Sequence, residues 1–321
     1  MRKHRDGEPC ASFLLEAFIA NYAIGYPSPG FRPGLVAAQQ CLVQTLAQIK
    51  ALLEERGLRP RHALGQNFLI DKNLLAKLLD AAAVKPGELV LEVGPGTGTL
   101  TEALLHRGCN VVACELDDAL AAMLSERMPA LGFGGGERFR LVEGDCLDKG
   151  KTLNRTAAGA IGDAPFKLVA NLPYGAATPL MINLLIDHPH CSVQAVTIQK
   201  EVAQRLAAKP GSKEYGLLSV VVQALGMVET VASLPPECFW PRPEVTSAMV
   251  VVRRRADPLT RDGAGLAALC QRVFSKRRKQ LGSILGRGHP LPPGVSAEQR
   301  PEELSPEAFV QLLELTGEVE E

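Results

Sequence analysis

The 321-residue chain carries no net charge, because 35 Lys and Arg balance 35 Asp and Glu. It is therefore not a uniformly basic nucleic-acid binder, and any contact with an anionic partner must come from locally concentrated charge. Cys-x-x-Cys pairs are missing. The eight cysteines, at 10, 41, 109, 114, 146, 191, 238 and 270, are scattered without the recurrent Cys and His spacing of a zinc site. Such scatter argues against a disulfide framework or a metal scaffold and suits a reduced, cytoplasmic protein with buried thiols. No stretch is long and apolar enough to span a bilayer. The segment from Ala11 to Tyr26 is interrupted by Glu16 and Asn21 and lacks a small-residue cleavage site. Neither a membrane association nor a signal peptide is expected. Internal repeats are also absent. What the chain does have is 46% apolar and 22% charged residues, enough for one large core with a smaller appended unit.

The charge is unevenly placed. Residues 250–290 hold ten Lys or Arg against two Asp, and residues 291–321 hold eight Glu against one Arg. This predicts a basic face followed by an acidic tail. Residues 1–36 read as an extension, first charged, then apolar, then turn-rich through Tyr26-Pro27-Ser28-Pro29-Gly30. From Val36 to Arg56 apolar residues recur at helical spacing (Leu42, Leu46, Ile49, Leu52, Leu53), and Gly57 stops the helix.

Beyond residue 86, strand and helix patterns alternate. Strands are expected at 89–93, 111–114, 139–142, 166–170 and 193–198. Helices are expected at 99–107, 117–128, 179–186 and 217–225, with a glycine-rich loop at 133–137. Segments 228–232 and 247–252 suit a closing hairpin. This order predicts an α/β, doubly wound, Rossmann-like sheet over residues 37–255. Helical patterns at 266–274, 276–285 and 306–315 then predict a small all-helical C-terminal domain over 256–321.

The densest motif is Leu91-Glu92-Val93-Gly94-Pro95-Gly96-Thr97-Gly98-Thr99, at a strand-to-helix turn. Glycine there lets the backbone turn sharply and approach a ligand. An ordinary strand–helix turn can look the same, so the flanking residues must decide. A dinucleotide fingerprint needs glycine at the sixth position, which Thr99 occupies; this disfavours a nicotinamide oxidoreductase. An acid two residues before Gly-x-Gly-x-Gly is instead the form that many S-adenosylmethionine enzymes carry. Glu115 closes the next strand, 21 positions after Gly94, near the ~20 expected for a carboxylate that takes both ribose hydroxyls. Asp145 follows the third strand, where it could accept from an adenine amino group. Gly94, Gly96, Glu115 and Asp145 thus stand at successive strand ends, where doubly wound sheets bind ligands.

After the fourth strand comes Asn171-Leu172-Pro173-Tyr174. The lone pair of an adenine amine is delocalised into the ring, so a methylating enzyme gains by holding the amine's hydrogens on fixed acceptors. The side-chain oxygen of Asn171 and a main-chain carbonyl near Leu172 suit that task. Pro173 stiffens the turn, and Tyr174 offers a face on which an unstacked base can lie.

With these motifs the chain resembles the ribosomal RNA adenine dimethyltransferases that modify small-subunit RNA. The likeness runs from about Leu52 to Leu285. It rests on Leu64-Gly65-Gln66-Asn67-Phe68-Leu69, the glycine loop, Asn171-Leu172-Pro173-Tyr174, Gln199-Lys200-Glu201-Val202 and Tyr215-Gly216-Leu217-Leu218-Ser219-Val220. It continues through Phe239-Trp240-Pro241-Arg242-Pro243-Glu244-Val245-Thr246-Ser247 and Arg277-Arg278-Lys279-Gln280-Leu281. The resemblance implies S-adenosyl-L-methionine as methyl donor, bound through Asn67, Leu69, Gly94, Glu115, Asp145 and Asn171, with the segment around Asn67 capping it. It also implies dimethylation of two adjacent adenines near the 3′ end of 16S RNA, in a late pre-30S particle. Phe239 would be a second stacking surface, in the loop before the last strand. One departure stands out, Gly175 where members often have Asn, and activity is expected to survive it.

Arg253–Arg255 and Lys276–Lys279, above all Arg277, Arg278 and Lys279, are the expected phosphate contacts, with Lys200 and Lys213 behind them. A monomer is the expected state. The rival within the class is a large-subunit RNA adenine methyltransferase of the macrolide-resistance type. Arg277-Arg278-Lys279 and the longer C-terminal region favour the small subunit. A DNA adenine methyltransferase would typically carry Asp-Pro-Pro-Tyr. From another class, a non-catalytic RNA-binding assembly factor on the same fold is disfavoured by intact Glu115, Asp145 and Asn171.

Overall fold

A computed structural model of the chain describes residues 44–317 apart from Gly135, Glu137, Gly150 and Arg287. The extension at 1–36, the start of the expected 36–56 helix and part of the 133–137 loop lie outside the described residues. Helix α1 is seen at Leu46–Glu55, where Thr45 caps it in a reciprocal pair with Gln48. Its apolar face places Ile49 and Leu53 against Phe68, Leu120 and Met123.

Among the described residues nine strands follow: β1 (Phe68–Leu69), β2 (Leu89–Val93), β3 (Asn110–Glu115), β4 (Phe139–Glu143), β5 (Phe166–Asn171), β6 (Cys191–Gln199), β7 (Gly226–Leu234), β8 (Phe239–Trp240) and β9 (Ser247–Arg254). Seven of them form one sheet in the order β4-β3-β2-β5-β6-β9-β7, in which β9 runs antiparallel to both neighbours. The chain leaves β2 towards β4 and then returns to β5 on the other side of β2. That reversal opens a crevice at the carboxyl ends of β2 and β5, the usual ligand position in such sheets.

The core explains why these segments are strands. Val90 and Leu91, Val111 and Val112, Leu168 and Val169, Ala195 and Val196, and Val250 and Val251 alternate between two apolar clusters, one on each face of the sheet. A period of two along a strand buries both faces only if both are covered. On one side stand α2 (Lys72–Ala81), α3 (Thr99–His106) and α4 (Asp118–Met128). On the other stand α5 (Arg155–Ile161), α6 (Tyr174–Ile186), α7 (Lys200–Leu206) and α8 (Leu217–Leu225). The all-helical C-terminal part, α9 (Gly263–Phe274), α10 (Leu281–Leu285) and α11 (Pro306–Gly317), sends Leu266, Cys270 and Phe309 into that second cluster.

Helices α2, α5 and α7 have no counterpart among the expected elements, and two expected helices differ in extent. The one expected from Pro179 begins at Tyr174, with Pro179 inside it and Pro173 as its N-cap. The one expected over 276–285 is only Leu281–Leu285, because the N–H groups of Leu281 and Gly282 donate to the carbonyls of Gln299 and Ala297. Residues 276–279 form turns instead.

The arginines ending β9 also differ, since they are not free phosphate contacts. Arg254 donates from Nε to the Cys191 carbonyl (3.0 Å), and from Nη2 to those of Leu184 (2.8 Å), Leu185 (2.9 Å) and His188 (3.1 Å). It caps the carbonyl end of α6 and ties it to the start of β6. Arg253 donates to the Ala81 carbonyl and Arg255 to that of Gln223. Arg254→Ala is therefore expected to destabilise the fold by about 2–3 kcal/mol, since several carbonyls lose a charged donor. Urea denaturation measures this, and RNA affinity at a temperature where the variant stays folded is expected to be unchanged.

Candidate active site

A cavity of about 520 Å³ opens at the carboxyl ends of β2, β3, β4 and β5, a size that suits a nucleoside-bearing ligand. It gathers Asn67, Leu69, Gly94, Gly96, Glu115, Asp145, Asn171, Leu172, Pro173, Tyr174 and Phe239 along its wall. The strand-end residues proposed from the motifs and those implied by the resemblance converge there.

The glycine turn is held by close approaches. Gly94 has φ of +71°, and a Cβ there would lie 3.1 Å from the Pro173 ring. The glycine turn and the Asn171–Tyr174 turn thus approach each other closely. Gly96, with φ of +60°, lies against the Phe68 ring and donates its N–H to Glu115 Oε2 (2.9 Å). The other oxygen of Glu115 accepts from the Asp117 N–H (3.0 Å). These main-chain donors hold the carboxylate at the cavity wall, where its remaining acceptor capacity suits a hydroxyl-bearing ligand. Asp145 is exposed at the rim, where one oxygen accepts from the Leu147 N–H (3.0 Å).

Burial shapes the electrostatics. Glu92 is almost wholly enclosed, and loss of solvation pushes its carboxyl up to about 8 against the hydrogen bond from the Thr101 hydroxyl (2.7 Å), with the Glu115 charge adding to the rise. Burial also raises the Glu115 carboxyl, opposed by its main-chain donors. Cys114 and Cys146 stand on the same wall, and burial pushes both thiols up to about 12. They are neutral wall atoms rather than nucleophiles.

The Asn171–Tyr174 turn has an oriented amide. Asn171 Nδ2 donates to the main-chain carbonyl of Asn67 (2.8 Å), and the Thr197 hydroxyl donates to Asn171 Oδ1. The Tyr174 hydroxyl is tethered to Ser247 Oγ at 3.0 Å. Phe239 is buried, and it does not sit in a loop: β8 pairs with β1, Leu69 opposite Phe239 and Phe68 opposite Trp240. The cap over the cavity is thus a two-residue strand pair rather than a free loop.

Three residues given no role by their spacing fasten that cap. Gln66 Nε2 donates to Asp117 Oδ2 (2.9 Å), and Arg61 Nε forms an ion pair with the same oxygen (3.3 Å). The other Asp117 oxygen caps α4 through the N–H groups of Ala119 and Leu120. In the sequence Asp117 reads only as a helix start.

Of the expected phosphate contacts, Arg277 is half-buried, donates to the Ser212 carbonyl (3.1 Å) and pairs with Glu302 (3.9 Å). Arg278 and Lys279 are exposed. Among the described residues, no helix is long and apolar enough to cross a membrane.

The family model for ribosomal RNA adenine dimethylases matches residues 57–314. Proteins named ribosomal RNA small subunit methyltransferase A are similar along most of the chain. That of Streptomyces griseus is 37% identical over 284 residues, 85% of this chain and 95% of that protein. That of Mycobacterium tuberculosis is 38% identical (84% and 87%), and that of Magnetococcus marinus 39% identical (83% and 95%). Among solved structures, a dimethyladenosine transferase from Plasmodium falciparum shares the fold, with a TM-score of 0.65 at 24% identity over 78% of this chain and 98% of that one. The 23S rRNA methyltransferase ErmE superposes with a TM-score of 0.57 at 26% identity, covering 78% and 99%.

Proposed function

Because the chain belongs to the ribosomal RNA adenine dimethylase family, we propose that it dimethylates the N6 amine of two adjacent adenines near the 3′ end of small-subunit RNA, within a pre-30S particle. The observation that carries this reading is the meeting in one cavity of the Gly94–Gly98 turn, buried Glu115 and the oriented amide of Asn171. S-Adenosyl-L-methionine fits the cavity's size and chemistry, and when bound it supplies a methyl group already activated on a sulfonium. Glu115 would hold the ribose hydroxyls, Asp145 the adenine amine, and Asn67, Leu69, Gly94 and Gly96 the enclosing wall. Asn171 Oδ1 and the Leu172 carbonyl would hold the target amine's hydrogens, which localises its lone pair and aims it. Tyr174 and Phe239 would flank the extruded base. The reaction takes place in the cytoplasm, and the chain acts as a monomer.

The curated relatives that support the small-subunit target are the more similar in sequence, while ErmE keeps a large-subunit target as the competing outcome. Primer extension on both RNAs from cells lacking and regaining this protein separates them. Stops restored at adjacent adenines near the 3′ end of small-subunit RNA support the reading; restoration only in large-subunit RNA overturns it.

Two further results are expected. Glu92 is neutral near pH 7, and a cationic methyl donor placed beside it favours the carboxylate, so binding displaces a proton. Donor affinity should therefore rise with pH and level off above about 8, and Glu92→Gln should flatten that rise. In the unliganded protein the sign is opposite. The raised carboxyl withdraws stability as pH climbs from 4.5 towards 8, so Glu92→Gln should melt higher than the parent at pH 8 and equally at pH 4.5. Calorimetry across pH measures the first and thermal melts the second. For RNA, replacing Arg278 and Lys279 with alanine should weaken particle binding and lower the salt slope by about two. Arg277→Ala should chiefly lower the melting temperature.

A further inference from the structure

The strand β6 presents Val193, Ala195 and Thr197 to one face of the sheet, where Val193 and Ala195 join an apolar cluster. Thr197 is 1% exposed. Valine has the same shape and suits a buried strand at least as well, whereas a buried hydroxyl is costly unless it is hydrogen-bonded. Its placement therefore calls for a partner, and the partner is the amide at the centre of the active site.

Thr197 stands directly opposite Asn171 in the β5–β6 pairing. It holds the catalytic turn at two points. Its main-chain carbonyl accepts from the Leu172 N–H (3.1 Å), and its hydroxyl donates to Asn171 Oδ1. On the other side of the amide, Asn171 Nδ2 faces the Asn67 carbonyl at 2.8 Å. A carbonyl can only accept, so a flipped amide would set two acceptors against each other. Asn67 thus fixes which end carries nitrogen, and Thr197 holds the oxygen end in place while leaving its second lone pair free for the cavity.

We propose that Thr197 is a positioning residue for methyl transfer, fixing the Asn171 amide so that its oxygen is already aimed when the target amine arrives. It acts only through Asn171 and touches no substrate, so the proposal rests on the acceptor role given to Asn171 above. An acceptor aligned in advance acts on the reacting geometry rather than on donor affinity.

The test compares Thr197→Val, which keeps the shape, with Thr197→Ser, which keeps the hydroxyl. Thr197→Val is expected to lower kcat about tenfold, the loss of roughly one well-placed hydrogen bond's alignment. Donor Kd and RNA KM should stay within about twofold. Thr197→Ser should recover kcat to within about threefold of the parent. By NMR, the Asn171 side-chain amide signals, assigned by their loss in Asn171→Ala, should shift in Thr197→Val and return in Thr197→Ser. In the parent protein the Thr197 hydroxyl proton should exchange slowly and show a cross-peak to that amide; its absence overturns the proposal even if a variant fails to fold. An unchanged kcat in Thr197→Val, or equal losses in both variants, also overturns it. If Asn171→Ala itself turns over normally, the fault lies in the acceptor role and not in Thr197.

Discussion

Asn171→Ala is expected to slow methyl transfer by at least about a hundredfold, the scale on which removal of one preorganised polar group from a reacting centre is felt. Donor affinity should change by no more than about threefold. The reason is the division of labour around the cavity. Glu115 and the Gly94–Gly98 turn, the groups proposed to hold the donor, line the cavity from the ends of β2 and β3, and their hydrogen bonds run to each other and to Asp117 rather than to Asn171. The link that Asn171 does make, to the Asn67 carbonyl, is one of several that fasten the cap; Gln66 and Arg61 still reach Asp117 without it. Single-turnover rates and calorimetry on the same preparation separate the two effects. Turnover within tenfold of the parent would show that the target amine is aimed by other groups. A large loss of donor affinity would show that Asn171 chiefly secures the cap.

The second large effect is expected at Gly96. Its φ of +60° is open to glycine at little cost, and a Cβ there would stand 2.7 Å from the Phe68 ring. That ring cannot easily yield, because Phe68 is buried, stacked on Trp240 with centroids 6.2 Å apart, and set in the β1–β8 pair. Forcing a side chain into left-handed backbone costs roughly 1–2 kcal/mol before any clash. Relief of the clash would move either the cap or the N–H that Gly96 donates to Glu115. Gly96→Ala is therefore expected to weaken donor binding by about a hundredfold, each tenfold corresponding to about 1.4 kcal/mol. Gly159→Ala is the control: this glycine is exposed in α5, away from the cavity lining, with nothing within 4 Å of the added carbon. There donor affinity should hold. Equal losses at both positions would mean that the Gly96–Phe68 contact does not shape the site.

These two residues show which parts of the molecule could be read from sequence. The sheet was legible because each strand from Leu89 to Val196 repeats at a period that needs two covered faces, and that constraint is local. The positions of the glycine turn, Glu115 and Asn171 were legible for a related reason, since each stands at the end of a strand or just after it, where doubly wound sheets bind ligands. The cap was not. Phe68–Leu69 and Phe239–Trp240 are two-residue strands whose pairing is set across most of the chain, too short to carry any periodicity. Arg253–Arg255 misled because a cluster of charge looks alike whether it faces phosphates or, as here, main-chain carbonyls. Asp117 reads as a helix cap because one oxygen is one; its second oxygen fastens Gln66 and Arg61, which no neighbouring residue reveals. Thr197 shows the same limit, since a β-branched residue in a strand needs no further explanation until the amide beside it is seen.

All of this depends on the cavity being where a methyl group passes to an adenine amine. Small ribosomal subunits from cells lacking this protein, incubated with it and isotopically labelled S-adenosyl-L-methionine, can be digested to nucleosides and weighed by mass spectrometry. Label in N6,N6-dimethyladenosine from small-subunit RNA, absent with the Asn171→Ala variant, is the expected result. Label in another nucleoside, or none in adenosine from an active preparation, would contradict it.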